Sequence, residues 1–172
     1  LYKFVSPEPP DSLQSLPMTS RPSIFESSKT FANFPCSHRR WQHQGHCAHI
    51  HGYSRSFTLW FRATQRDENG FVMDFGQLKA VKAWLEDHFD HTMLLDNDDP
   101  LLPEFESLAA KGACKLITFE DVGMEGTAAF VMDWVGAWVH KQTNGRVWLH
   151  SVEVRENSKN SARITRPNSA GT

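Results

Sequence analysis

Five of the chain's nine histidines fall in one short window: His38, His43, His46, His49 and His51, with Cys36 and Cys47 among them. Imidazole nitrogens bind metals and carry protons near neutral pH, and thiols do both once deprotonated. If residues 49–53 run as a strand, the side chains at 49, 51 and 53 point to one side. Two imidazoles on that face and a third from a preceding strand would make a three-nitrogen pocket. Catalytic zinc takes three protein ligands and keeps one open position. Imidazole also suits other divalent metals. A zinc finger does not fit, because the chain has no C-x-x-C pair. A single histidine more often makes ordinary hydrogen bonds, but five beside a cysteine shift the balance toward a site.

Such a window needs elements to hold it. Ile24–Pro35 reads as a strand, with Phe25, Phe31 and Phe34 among small polar residues. Ser54–Ala63 alternates, with Phe57, Leu59 and Phe61 on one face and Ser56, Thr58 and Arg62 on the other. Asp67–Gly70 closes it as a turn, and Gly70–Asp74 reads as a short return strand. Phe75–His88 has helical spacing through Leu78, Val81 and Leu85, and Asp74 is its expected N-cap. Thr127–Gln142 is a second helix with two apolar rows, Phe130/Trp134/Trp138 and Val131/Val135/Val139, and the Trp row is expected in the core. Asn144-Gly145 makes a turn into a strand over Val147–Glu156. Between the helices, a short helix is expected over Leu101–Lys111 and a strand over Lys115–Phe119. Strands joined by hairpins with helices grouped between them predict an α+β domain, its antiparallel sheet covered on one face. Neither a βαβ alternation nor a glycine-rich phosphate loop is present.

The 172 residues suit one domain, and the abundance of Phe and Trp supplies its core. That domain is expected over residues 23–166. Residues 1–22 hold five of the nine prolines and read as a disordered leader, and residues 167–172 read as a disordered tail. Eighteen basic and twenty acidic residues leave a net charge of −2, which argues against a nucleic-acid binder. No apolar run approaches the ~18 residues of a membrane span. Residues 1–20 lack the apolar core of a secretory signal, and three scattered cysteines make no disulfide framework. A soluble cytoplasmic protein is the expectation, with Cys36 and Cys114 as packing residues.

Several motifs then fall in a telling order: Phe34-Pro35-Cys36-Ser37-His38; Cys47-Ala48-His49-Ile50-His51-Gly52-Tyr53; Asp74-Phe75-Gly76-Gln77-Leu78-Lys79; Phe89-Asp90-His91-Thr92-Met93-Leu94; and Val154-Arg155-Glu156-Asn157. Together they resemble the 6-pyruvoyl-tetrahydropterin synthase / 6-carboxytetrahydropterin synthase family. Its pattern runs F-x-x-x-H, C-x3-H-G-H, D-F-x-x-L-K, L-D-H-x-x-L-N, a P-T-x-E helix start and a late strand ending in E-T. The resemblance spans about residues 24–165. Two departures stand out. His51-Gly52-Tyr53 occupies the place of H-G-H, and a tyrosine phenol is a poor ligand at neutral pH. Gly126-Thr127-Ala128-Ala129 keeps only the threonine of P-T-x-E.

The resemblance implies the tunnelling fold, an antiparallel sheet with two helices on one face that assembles into a barrel as a homotrimer or homohexamer. It implies a lyase acting on 7,8-dihydroneopterin triphosphate. The expected product is 6-carboxytetrahydropterin, on the queuosine (7-deazaguanine) route, formed by triphosphate elimination and side-chain cleavage. A 6-pyruvoyl-tetrahydropterin product and a non-catalytic pterin-binding relative with an altered metal site are the alternatives. One zinc ion per subunit would be held by His38, His51 and His49, with His46 and Tyr53 as other candidates for the third place. Cys47 would move protons as a thiolate, with His91 as its partner and Asp90 orienting His91. Glu156 would accept the pterin's N–H groups, Glu153 on the opposite strand face being the rival acid, and Thr127 would offer donors to the ring. Arg39, Arg40 or Lys79 would meet the triphosphate.

Overall fold

A computed structural model describes residues 23–167. The expected leader, and the expected tail from residue 168 on, lie outside the described residues. In chain order the elements are β1 (Phe25–His38), a 3-10 turn (His46–Ala48), β2 (His51–Ala63) and a second 3-10 turn (Phe75–Leu78). They continue with α1 (Lys79–Phe89), β3 (Thr92–Asp96), α2 (Leu102–Ala110), β4 (Lys115–Phe119), α3 (Met124–Gln142), β5 (Val147–Arg155) and β6 (Ser161–Thr165). One six-stranded sheet runs β4-β3-β1-β2-β5-β6.

The α+β expectation holds, and β1, β2, β5 and β6 pair antiparallel. The sheet as a whole is mixed, because β3 joins β1 in parallel and β4 joins β3 in parallel; β3, α2 and β4 make one βαβ unit, against the expectation that none is present. The sequence pattern missed β3 for a physical reason. Its five residues are all buried, Leu94 on the main core and Met93 and Leu95 on a second cluster, so no polar face marks the period. β6 was also unforeseen, since its residues are half-exposed and polar at an edge. The expected strand over Gly70–Asp74 does not form. Phe71 and Gly70 instead close an Asx-type turn on Asp67, and Val72 and Met73 drop into the core.

Asp74 caps as expected, its carboxylate accepting from the Gly76 amide at 2.8 Å. α1 and α3 cover one sheet face, burying Val81, Leu85, Phe89, Val131, Met132, Val135 and Val139 against Phe57, Leu59, Phe61, Val152 and Val154. The fully buried row of α3 is the valine row. The Trp row lies beside it, only partly buried, as an aromatic seam in which Trp134 stacks on Trp84 of α1 at 4.4 Å. The third helix, α2, packs Phe105 on the opposite face, over Met93 and Leu95.

One irregularity in β1 sets the site. Phe31 pairs with Phe57, but the next pairing is Phe34 with Arg55, so β1 carries one extra residue there. Asn33 sits in this bulge with φ of 71°. Before it the odd-numbered side chains face the core, and after it Phe34, Cys36 and His38 do. Without the bulge His38 would point away from the core face.

Candidate functional site

The last residue of β1 and the first of β2, His38 and His51, stand opposite each other in the ladder. Their rings lie 4.3 Å apart. Tyr53, two residues along β2, meets His51 edge-on at 5.8 Å. The His38 ring is buried, and its Nε2 lies 3.4 Å from Glu156 Oε1, just past the end of β5. Burial, together with the Arg55 cation, His51 and Arg40, drives the His38 pKa from 6.5 to about 3, so the ring is neutral at physiological pH.

Glu156 is held from behind by Arg55, a fully buried cation on β2. Arg55 donates from Nη1 to Thr127 Oγ1 at 2.8 Å and from Nη2 to the Val122 carbonyl at 3.0 Å. Its Nη2 also lies 3.4 Å from Glu156 Oε1. Four of the expected residues, His38, His51, Glu156 and Thr127, therefore belong to one cluster. Of the two rival acids, Glu156 joins it, whereas Glu153 accepts a bond from Arg155 elsewhere on the strand. Thr127 enters differently from the expectation. It is fully buried, and its hydroxyl is committed to Arg55 and the Val122 carbonyl. It therefore offers the guanidinium a support and has no free donor for a ring. Arg55 itself escaped the sequence reading because it sits at a core-facing position of an apolar strand; a lone arginine among Phe57, Leu59 and Phe61 was the available signal.

The other expected residues lie apart from that cluster. Cys47 is half-buried in the 3-10 turn, where its carbonyl accepts from the Arg40 amide at 2.8 Å. His49 presents its backbone to the pair, since its carbonyl meets His51 Nδ1 at 2.8 Å. Asp90 and His91 form a surface pair, Oδ1 to Nδ1 at 2.7 Å, with the His91 side chain 84% exposed and its backbone at φ of 56°. His91 borders a cleft of about 620 Å³, between the sheet and α2, that also touches Cys36, Tyr53, Phe105 and Cys114. A cleft of that size accommodates a small heterocycle. Cys36 itself is poorly suited as a nucleophile, because burial pushes its thiol pKa up. Arg39 and Arg40 are paired with Asp99 and with Asp96 and Asp121, which removes them as ready triphosphate ligands.

For a divalent metal, the donor set fits in part. The His38 Nδ1 is buried without a partner. If the ring's hydrogen sits on Nε2, facing the Glu156 carboxylate, Nδ1 keeps a lone pair for a ligand, as in carboxylate–histidine–metal arrangements. His51 keeps its Nε2 for the same use. Among the described residues, no three His, Cys, Asp or Glu side chains are placed to hold a metal ion together.

Residues 27–167 match the family model described as 6-pyruvoyl tetrahydropterin synthase. The chain is 36% identical over 67 residues to a 6-carboxy-5,6,7,8-tetrahydropterin synthase of Rickettsia conorii, covering 38% of this chain and 49% of that protein. It is 30% identical over 112 residues to the protein of that name from Aquifex aeolicus, covering 56% and 68%. The chain thus spans about half the length of the first of these relatives. In fold it is similar to an uncharacterised protein from Wolinella succinogenes, with a TM-score of 0.72 at 21% identity over 84% of this chain and 99% of that one. A catalytic-residue mutant of Plasmodium vivax 6-pyruvoyltetrahydropterin synthase superposes with a TM-score of 0.62 at 19% identity, over 84% and 98%.

Proposed function

The chain belongs to the 6-pyruvoyl tetrahydropterin synthase family, and on that premise we propose that it is a zinc-dependent lyase converting 7,8-dihydroneopterin triphosphate to 6-carboxytetrahydropterin. The 6-carboxy product is favoured over the 6-pyruvoyl one by the names of the relatives from Rickettsia conorii and Aquifex aeolicus. The observation that carries the reading is the junction of His38, His51 and Glu156 at one end of the sheet. There a carboxylate acceptor for a pterin lies beside two neutral-capable imidazoles for a metal.

In this scheme Glu156 accepts N–H donors of the pterin ring, as a carboxylate with several lone-pair sites can. His38 and His51 would hold the zinc, which would supply Lewis-acid polarisation of the side-chain hydroxyls. Cys47 removes and returns side-chain protons. His91 takes up the thiol proton, and Asp90 fixes the direction of its ring. Triphosphate leaves by elimination, and cleavage of a carbon–carbon bond with uptake of one water gives the 6-carboxy product and acetaldehyde.

Cys47 and the exposed Asp90–His91 pair do not meet within one chain, which supports a homotrimer or homohexamer whose sites lie between subunits. The open edges at β4 and β6 suit such closure. Placement on the queuosine route and in the cytoplasm follows from the same reading. Among the described residues, no helix is long and apolar enough to cross a membrane. One observation favours a second reading, a pterin-binding relative without turnover: two imidazoles converge where three are expected, and Tyr53 stands beside them.

The test combines elemental analysis with product chromatography from 7,8-dihydroneopterin triphosphate, for the wild type and Cys47→Ala. The expected result is about one zinc per subunit and a 6-carboxy product that disappears in the variant. Metal-free protein that still binds a pterin and forms no product would move the assignment to the second reading.

A further inference from the structure

We infer that Arg55 is a positioning residue of the pterin site: clamped by Thr127 and the Val122 carbonyl, it fixes where the Glu156 carboxylate points. The inference rests on the pterin reading above. A guanidinium with no exposed surface is costly to bury unless its charge is paired and its donors are met. Among the described residues the carboxylate that faces it is Glu156, its Oε1 3.4 Å from Nη2; the same Nη2 donates to the Val122 carbonyl, Nη1 donates to Thr127 Oγ1, and Nε is buried without a partner. The guanidinium plane therefore fixes Glu156 Oε1 from the protein side. His38 approaches the same oxygen at 3.4 Å. With Oε1 engaged twice, Oε2 is the oxygen left to take a ligand's N–H. The entry of α3 is fixed in turn by Asp96, which accepts the Val122 amide at 2.8 Å and pairs with Arg40.

The geometry makes specific demands. Lysine at 55 would keep the charge and lose the planar fork. It could not face Thr127, Val122 and Glu156 at once, so Glu156 would keep a counter-charge and lose its fixed direction. A substitution that removes the charge would leave Glu156 in a nearly closed site without its partner. Removing both charges together avoids that penalty, because an apolar replacement of a buried pair is often tolerated.

The experiment is a double-mutant cycle on the full chain, using neopterin as a non-reactive probe read by its own fluorescence, with circular dichroism to score folding. Steady-state turnover of 7,8-dihydroneopterin triphosphate is run alongside. Arg55→Lys is expected to bind neopterin roughly tenfold more weakly, with KM raised more than kcat is lowered. Arg55→Met/Glu156→Gln is expected to bind no worse than Glu156→Gln alone, because Arg55 acts only through Glu156. The double variant also serves if Arg55→Met by itself fails to fold. A folded Arg55→Lys with wild-type affinity and KM would overturn the inference, as would losses in the double variant that simply add. If the wild type itself binds no neopterin and turns over no substrate, the pterin reading fails first and Arg55 falls with it; wild-type binding with silent Arg55 variants refutes Arg55 alone.

Discussion

At the level of single residues, His38 is the most constrained group of the site. Its ring is neutral in the fold down to about pH 3, while the unfolded imidazole titrates near 6.5. Between those values the unfolded chain binds more protons than the folded one, so stability rises with pH. Chelated protein should therefore hold its full stability above about pH 6.5 and lose it progressively as the pH falls toward about 3. Urea midpoints across that range measure it, and His38→Asn should flatten the slope. Glu156→Gln tests the acceptor role directly. It should weaken neopterin binding by tenfold or more, about 1.4 kcal/mol or above, and lower the melting temperature as well, because the buried Arg55 cation loses its carboxylate; unchanged affinity would remove Glu156 from recognition. His38, Glu156 and Thr127 were legible because each sits in a motif of fixed spacing. Arg55 was not, because its one signal, sharing the face of Phe57, Leu59 and Phe61, does not by itself separate a buried clamp from an arginine reaching solvent at the end of a strand. The commitment of Thr127 to that arginine was hidden for the same reason.

The elements show where pattern reading works. Amphipathic α1 and the alternating β2 were plain, since each has one buried and one wet face. β3 lacks a wet face and β6 lacks a clearly buried one, so neither shows a period. Within α3 the burial order separates its rows. Met132→Ala should cost about 2–5 kcal/mol, because the side chain is fully enclosed. Leu108→Ala, on the exposed side of α2, should stay within about 0.5 kcal/mol. Thermal melts of the two variants compare them. At the β1 bulge, Asn33→Val should cost about 1–2 kcal/mol, because a β-branched side chain resists positive φ. Asn33→Gly should be neutral or better, and a Val variant as stable as the wild type would show that the bulge needs no left-handed residue.

For the whole molecule, the six strands leave β4 and β6 as edges at opposite ends of the sheet. Neither edge is covered within the described chain by a further strand. Light scattering should therefore give a native mass three or six times that of the subunit. A monomer that turns over substrate would mean that Cys47 and His91 act within one chain after a local rearrangement. Metal removal by chelation should abolish turnover and leave the sheet intact by circular dichroism, since the main core of Phe57, Leu59, Phe61 and Val152 owes nothing to the histidines. Global unfolding on chelation would instead make the ion a structural one.

β1 is in effect written in two reading frames. Residues 25–31 are spelled in the frame that builds the hydrophobic core, and residues 34–38 in a frame shifted by one position, which presents Cys36 and His38. What joins the frames is a count, one surplus residue between Phe31 and Phe34, and no property of any side chain. Deleting Asn33 would only remove the surplus and leave Phe34, Cys36 and His38 on the core face, whereas adding one residue between Phe34 and His38 would leave charge and hydropathy almost untouched and turn His38 away from His51 and Glu156. The chemistry of this protein is therefore more sensitive to a one-residue insertion in β1 than to many changes of residue type.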